Sequence, residues 1–186
     1  MTAHDAGAPL WSGRLEGGLH PDVLALTQSL DVDQRLLPYD VAASQAHVRM
    51  LGRQGIIPAA DAEAIAVALA DVAIDEGAAD EDVHSLIERQ LVARLGDVGR
   101  RVHAGRSRND QVATAFRLWC RAHAFRLQLA VADLQAALLE LARRDGDAVL
   151  PAFTHLQRAQ PVPLAHHLAA HGWALQRDRK STRLNS

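Results

Sequence analysis

Cys120 is the one cysteine in a chain of 186 residues. A single thiol can neither close an internal disulfide nor build a cysteine-ligated zinc site, which fits a reducing compartment. Aromatic side chains make up only 4% of the sequence, while alanine and leucine dominate it. Strands favour β-branched and aromatic residues, so this bias points to helices. No apolar run is long enough to cross a bilayer. Residues 1–20 hold no apolar stretch of signal-peptide length. The formal charge is −2, so a nucleic-acid binder would need a local basic face, and no basic stripe interleaved with aromatics is present. These absences predict a soluble, cytoplasmic protein that engages neither membrane nor nucleic acid. What remains is 48% hydrophobic, enough for the core of one ordinary domain or two small ones.

The periodicity predicts a series of helices. One runs from about Gln34 to Gln54, with Pro38 in its first turns and Gly55 at its end. A second lies between Pro58 and Gly77 and buries Ile65, Leu69, Val72 and Ala73. A third opens on the acids of "DEDVH", buries Val83, Leu86, Ile87 and Leu91, and stops near Gly96. From Arg106 to Asp145 there is neither glycine nor proline. Val112, Ala115, Phe116, Trp119, Leu127, Val131, Leu134, Leu138 and Leu141 form one stripe there at helical period. About 36 residues at ~1.5 Å each span roughly 55 Å. A helix of that length needs a bundle of partners, and the chain offers one further helix, after Pro163. Residues 1–30, punctuated by glycine and proline, are expected to wrap over other parts.

Two polar stretches carry candidate chemistry. In "HAGRSRNDQVAT", Ser107 and Asp110 have capping-box spacing, which sets a helix start near Ser107. Backbone N–H groups at such a start attract anions, and Arg106 and Arg108 add forked cationic donors. The plainer reading is a capped helix whose arginines are solvated or paired to acids. A P-loop is excluded by the missing lysine and glycine spacing. In "PAFTHLQRAQPVP", prolines bracket a segment expected to be irregular, holding Thr154, His155, Gln157, Arg158 and Gln160. A histidine there can transfer protons near neutral pH, although by itself a loop histidine is more often incidental. His167 and His171 lie one helical turn apart, but the glutamate of a zinc-protease motif is absent and no metal site is expected. His84 reads as a packing or capping residue beside an apolar face.

The blocks "WSGRLEGGLHP", "SLDVDQRLLPYDVAASQAHVRML", "EDVHSLIERQL", "GRSRNDQVAT" and "THLQRAQPVPLAHHL", in this order and spacing, resemble the amino-terminal part of the argininosuccinate lyase family, within the fumarase/aspartase superfamily. The resemblance runs from about Leu10 to Arg179. It implies an all-α fold: an amino-terminal helical domain over 1–105, then the first long helices of a bundle domain over 106–179. Family members are more than twice this length and form homotetramers whose bundle is pooled from four subunits. Residues 180–186 are expected to be non-native, because they concentrate the only lysine, Lys180, and one of two asparagines, Asn185.

The implied reaction is reversible elimination of argininosuccinate to arginine and fumarate, with no cofactor and no metal. The resemblance assigns substrate binding to Ser29, His84, Arg108, Asn109 and Thr154, and proton transfer to His155. A serine on a mobile glycine- and serine-rich loop, the partner of that histidine, has no counterpart in this chain. The chain is therefore expected to be inactive alone. Another lyase of the superfamily, a crystallin-like structural role and a helical anion-binding module are the alternatives.

Overall fold

The computed structural model describes residues 20–184. Two compact units divide the chain, one over 1–119 and one over 120–186. In the first unit, α1 (Pro21–Thr27) and α2 (Leu30–Asp33) lead through a 3-10 turn into α3 (Leu37–Arg53). Pro38 sits in the first turn of α3, where its missing N–H costs nothing. Helix α4 (Ala59–Ala70) returns along α3. Their approach is close at Gly52, where any Cβ would fall 2.6 Å from that of Ala62. Helix α5 (Val83–Leu95) follows, capped by the Asp82 carboxylate, which accepts from Ser85 N at 2.6 Å. A short α6 (Asp97–Arg100) completes the unit before the long helix.

The expected buried face of α5 is the observed one: Val83, Leu86, Ile87 and Leu91 are sealed against Val48, Leu51, Ile65 and Leu69. Each such side chain contributes about 1.5–3 kcal/mol by leaving water. Helix α4 is shorter than expected and ends at Ala70, and Ala73 is exposed. Arg94 donates to the carbonyls of Ala68 and Asp71, and Gln90 donates to the carbonyl of Ala73. These side chains satisfy the backbone that a further turn would have satisfied.

Helix α7 runs unbroken from Arg108 to Asp145, 38 residues, so the long helix read from the sequence is present. Beyond it the expected irregular segment is a β-hairpin. Strand β1 (Val149–Thr154) pairs antiparallel with β2 (Gln157–Pro163), with a register break between Pro151 and Phe153. His155 and Leu156 form the two-residue turn with φ of 52° and 62°. Both lie in the left-handed region, which suits the twist of a tight hairpin but usually calls for Asn or Gly. That missing signal, together with three prolines, hid the hairpin. The hairpin apart, the described residues are predominantly helical, as the fold reading expected. Helix α8 (Leu164–Leu184) closes the second unit. Its start is tied to the end of α7 by Leu164 N donating to the Ala148 carbonyl at 2.8 Å. No helix among the described residues is long and apolar enough to cross a membrane. The sequence up to residue 19, including most of the first matching block, lies outside the described residues, as do Asn185 and Ser186.

Candidate functional site

The arginine turn is built as its sequence implies. Gly105 takes a φ of +65°, open to glycine without the Cβ penalty, and turns the chain into α7. The Ser107 hydroxyl accepts from Asn109 N at 3.2 Å, and the Asp110 carboxylate accepts from Ser107 N at 3.0 Å. This reciprocal cap fixes the helix start.

The two arginines of the turn have different fates. Arg108 points to acids: its Nη1 lies 3.3 Å from Asp82 and its Nη2 3.5 Å from Glu88. Glu88 also meets His103 Nε2 at 2.9 Å. Any external anion approaching Arg108 must compete with these two side chains. Arg106 folds inward. Its Nη1 donates to the Ser44 hydroxyl at 3.2 Å, while Nε and Nη2 are buried with no partner. Burial pushes its pKa down, the Asp40 charge opposes this, and the Arg108 charge adds to it. Asn109 is exposed beside them.

Ser29 starts α2, and its hydroxyl donates to Asp33 at 2.7 Å. Burial raises the Asp33 pKa despite that bond and the one it accepts from Val83 N at 3.0 Å. His84 is 2% exposed, with Nδ1 2.6 Å from the Asp40 carboxylate. Asp40 is wholly buried and also accepts from Gln111 Nε2 at 2.7 Å and the Ser44 hydroxyl at 2.8 Å. Burial alone would raise its pKa. The hydrogen bond and charge of His84, with the bonds from Ser44 and Gln111, outweigh it and hold the carboxyl below its ordinary range.

Segment 81–84 gathers the first group of expected site residues. The Glu81 carbonyl accepts from Ser29 N, Asp82 meets Arg108, Val83 N meets Asp33, and His84 meets Asp40. Ser29, His84 and Arg108 are thus tied to one stretch, with Asn109 next in chain to Arg108. Thr154 and His155 belong to the other unit, at the exposed tip of the hairpin, where Thr154 pairs with Gln157. The sequence reading missed Asp40, Ser44, Gln111, Asp82 and Glu88. One signal was available: Asp40 and Ser44 interrupt the apolar stripe of Leu37, Val41, Val48 and Leu51, and a polar residue on a buried face requires partners.

The His167 and His171 rings meet edge to face, centroids 5.0 Å apart. Among the described residues no three His, Cys, Asp or Glu side chains gather as a metal site would need. Within the second unit a cavity of about 350 Å³ lies between α7 and α8, lined by Leu138, Leu139, Ala142, Leu168 and Trp173. It offers an anion no cationic group.

The lyase family model matches residues 13–185. The chain belongs to the lyase family. The chain is 48% identical over 175 residues to an argininosuccinate lyase of Synechococcus sp. (strain JA-3-3Ab), covering 90% of this chain and 36% of the relative. It is 47% identical over 176 residues to an argininosuccinate lyase of Symbiobacterium thermophilum, covering 91% of this chain and 38% of the relative. The chain thus spans little more than a third of the curated relatives it matches. Among solved structures, it superposes on EDDS lyase in complex with formate with a TM-score of 0.74 at 28% identity, covering 91% of this chain and 35% of that one. An EDDS lyase variant with bound fumarate gives 0.71 at 30%, with the same coverage. A fumarate lyase from Mesorhizobium sp. BNC1, at 24% identity and a TM-score of 0.71 over 89% of this chain and 41% of that one, shares the fold.

Proposed function

We propose that this chain is the amino-terminal part of an argininosuccinate lyase, splitting argininosuccinate into arginine and fumarate in arginine biosynthesis in the cytoplasm. The observation that carries this reading is the 48% identity to such an enzyme across 90% of the chain, which includes the arginine turn. The identity to EDDS lyase is lower, so a lyase acting on another amino-substituted succinate is the second reading. The bound fumarate of the EDDS lyase variant supports a site that recognises a four-carbon dicarboxylate.

The chemistry follows from the reaction. The carbon that loses its proton lies next to a carboxylate, and the carbanion survives only if that carboxylate takes up more negative charge. Fixed donors must already stand where the charge develops. Ser29, Arg108, Asn109 and Thr154 are the proposed donors, with His84 lining the same site. His155 is the proposed proton-transfer group, acting as a base or as the relay that assists one. No cofactor is required, because no electrons leave the substrate. Residues 1–105 serve as the amino-terminal domain and 106–179 as the opening of a bundle, with 180–186 foreign to it. The bundle is completed in a homotetramer, with each site shared between subunits.

The test joins residues 1–179 in frame to the remainder of the Synechococcus relative. The purified chimera is expected to release fumarate from argininosuccinate, followed by ultraviolet absorbance, whereas chain 1–186 alone releases none. A folded tetrameric chimera that turns over EDDS but not argininosuccinate would transfer the assignment to the second reading.

A further inference from the structure

Three helices and the arginine turn converge on one carboxylate. Asp40 stands on α3 and is fully buried. One of its oxygens accepts from His84 Nδ1 of α5 at 2.6 Å and from Gln111 Nε2 of α7 at 2.7 Å. The other accepts from the Ser44 hydroxyl at 2.8 Å, and Ser44 in turn accepts from Arg106 Nη1 at 3.2 Å. Among the described residues no carboxylate pairs directly with Arg106. Among them its guanidinium makes one hydrogen bond, to the Ser44 hydroxyl, and its other two nitrogens are buried without partners. A buried guanidinium left so bare is costly, and Asp40, one hydroxyl away, is the acid that Ser44 links to it.

We infer that Asp40 is a positioning residue of the lyase site: it holds His84 with its proton on Nδ1, and it anchors the Arg106–Gln111 turn to α3 through Ser44 and Gln111. The lever is geometric. Arg108 and Asn109 lie between two residues, Arg106 and Gln111, that are both tethered to Asp40, one directly and one through Ser44. With both tethers in place, Arg108 and Asn109 are presented in one orientation. With the carboxylate gone, three donors lose their common acceptor and the buried charge of Arg106 loses its counter-charge. The depressed pKa of Asp40 agrees with a group that works ionised. Asp40 touches no substrate in this scheme, so its effect reaches the reaction only through the groups it holds.

The kinetic part of this inference rests on the proposed lyase reading, and the test has two arms whose failures differ. The first uses chain 1–186 and hydrogen–deuterium exchange read by mass spectrometry. Asp40→Asn is expected to raise amide exchange in the peptide covering 103–112 by about tenfold or more, with α4 unchanged, since local opening is set by local contacts. Equal protection of 103–112 in both proteins would overturn the inference whether or not any lyase activity exists. If Asp40→Asn does not fold, Ser44→Ala and Gln111→Leu take its place. Each removes one tether and is expected to raise exchange in that peptide alone, and unchanged exchange in both overturns the inference. The second arm uses the chimera. Asp40→Asn is expected to raise KM for argininosuccinate by about tenfold or more, with Ser44→Ala intermediate, because hydrogen bonds to a charged group are stronger than neutral ones. An active chimera whose KM is indifferent to all three substitutions overturns the positioning role. A chimera inactive with every residue intact counts against the lyase reading, and the exchange arm then decides on Asp40.

Discussion

Residues 20–119 and residues 120–184 treat their apolar side chains in opposite ways. The first stretch seals Val48, Ile65, Leu69, Val83, Leu86 and Leu91 at 0% exposure in one cluster. In the second, Leu168 is the only buried apolar residue among those described. Phe125, Leu127, Leu134, Leu139 and Trp173 stand about half exposed or more. Composition does not separate the two, since both are rich in alanine and leucine. Geometry does: α3, α4 and α5 are short and fold back on one another, whereas α7 presents far more stripe than α8 and a hairpin can cover. The first unit carries its own core, and the second leaves most of its apolar stripe exposed among the described residues.

The strongest way to break this contrast is to test whether the two stretches meet in an assembled enzyme. In the chimera, Ser29→Ala and His155→Ala should each be nearly inactive. Unfolded and reassembled together in equal amounts, they should regain activity, because about one quarter of sites receive both intact residues under random mixing of symmetric tetramers. Mixed tetramers as inactive as either parent would sink the shared-site proposal.

Next in size is the core of the first unit. Leu86→Ala should cost about 2–5 kcal/mol of unfolding free energy in urea, by lost transfer and a residual cavity. A loss below about 1 kcal/mol would mean that the seal is looser than its burial implies.

Acid should weaken the first unit more modestly. Burial holds the His47 ring below its ordinary pKa, against the hydrogen bond it makes to the Ala104 carbonyl, and the nearby charges of Arg106 and His103 push the same way. A depressed folded pKa contributes stability above the unfolded value, about 6.5, and loses it as pH falls through the folded value. Asp40, also depressed, adds a second loss below about pH 4. Asp33, raised by burial, acts in the opposite sense over the acid range. The melting temperature should therefore decline as pH is lowered from about 7 towards 5, and His47→Gln should flatten that slope. A wild-type slope unchanged by the substitution would remove His47 from the account.

The smallest expected effect is Leu134→Ser on the exposed stripe. Its consequence for unfolding of the first unit should stay within about 0.5 kcal/mol, while sedimentation shows less self-association of chain 1–186. Unchanged association would mean that the stripe near Leu134 is not what draws chains together.

Much of this was legible in the sequence, and the residues say why. The 3.6-residue period marked the buried face of α5 side chain by side chain, because a helix exposes its pattern locally. Ser107 and Asp110 announced the start of α7 for the same reason: both halves of the cap lie three residues apart. The end of α4 was not legible, because Arg94, more than 20 residues on, bonds the carbonyls of Ala68 and Asp71 at its end, and Gln90 bonds that of Ala73 just beyond. The hairpin was not legible because His155 and Leu156 adopt left-handed backbone without the usual residues.

The sequence by itself determined the helical class, the long α7, the capped arginine turn and the family likeness. All of these rest on residues close together in the chain or on the order of its blocks. Only the tertiary structure decided which charges pair. It set Arg108 against Asp82 and Glu88, turned Arg106 inward, and brought Asp40 to His84 across 44 positions of sequence. Such pairs form where helices cross, and burial strengthens each interaction while penalising each unpaired group. No local pattern records a crossing, so that part of the chemistry became readable only once α3, α5 and the start of α7 were packed together.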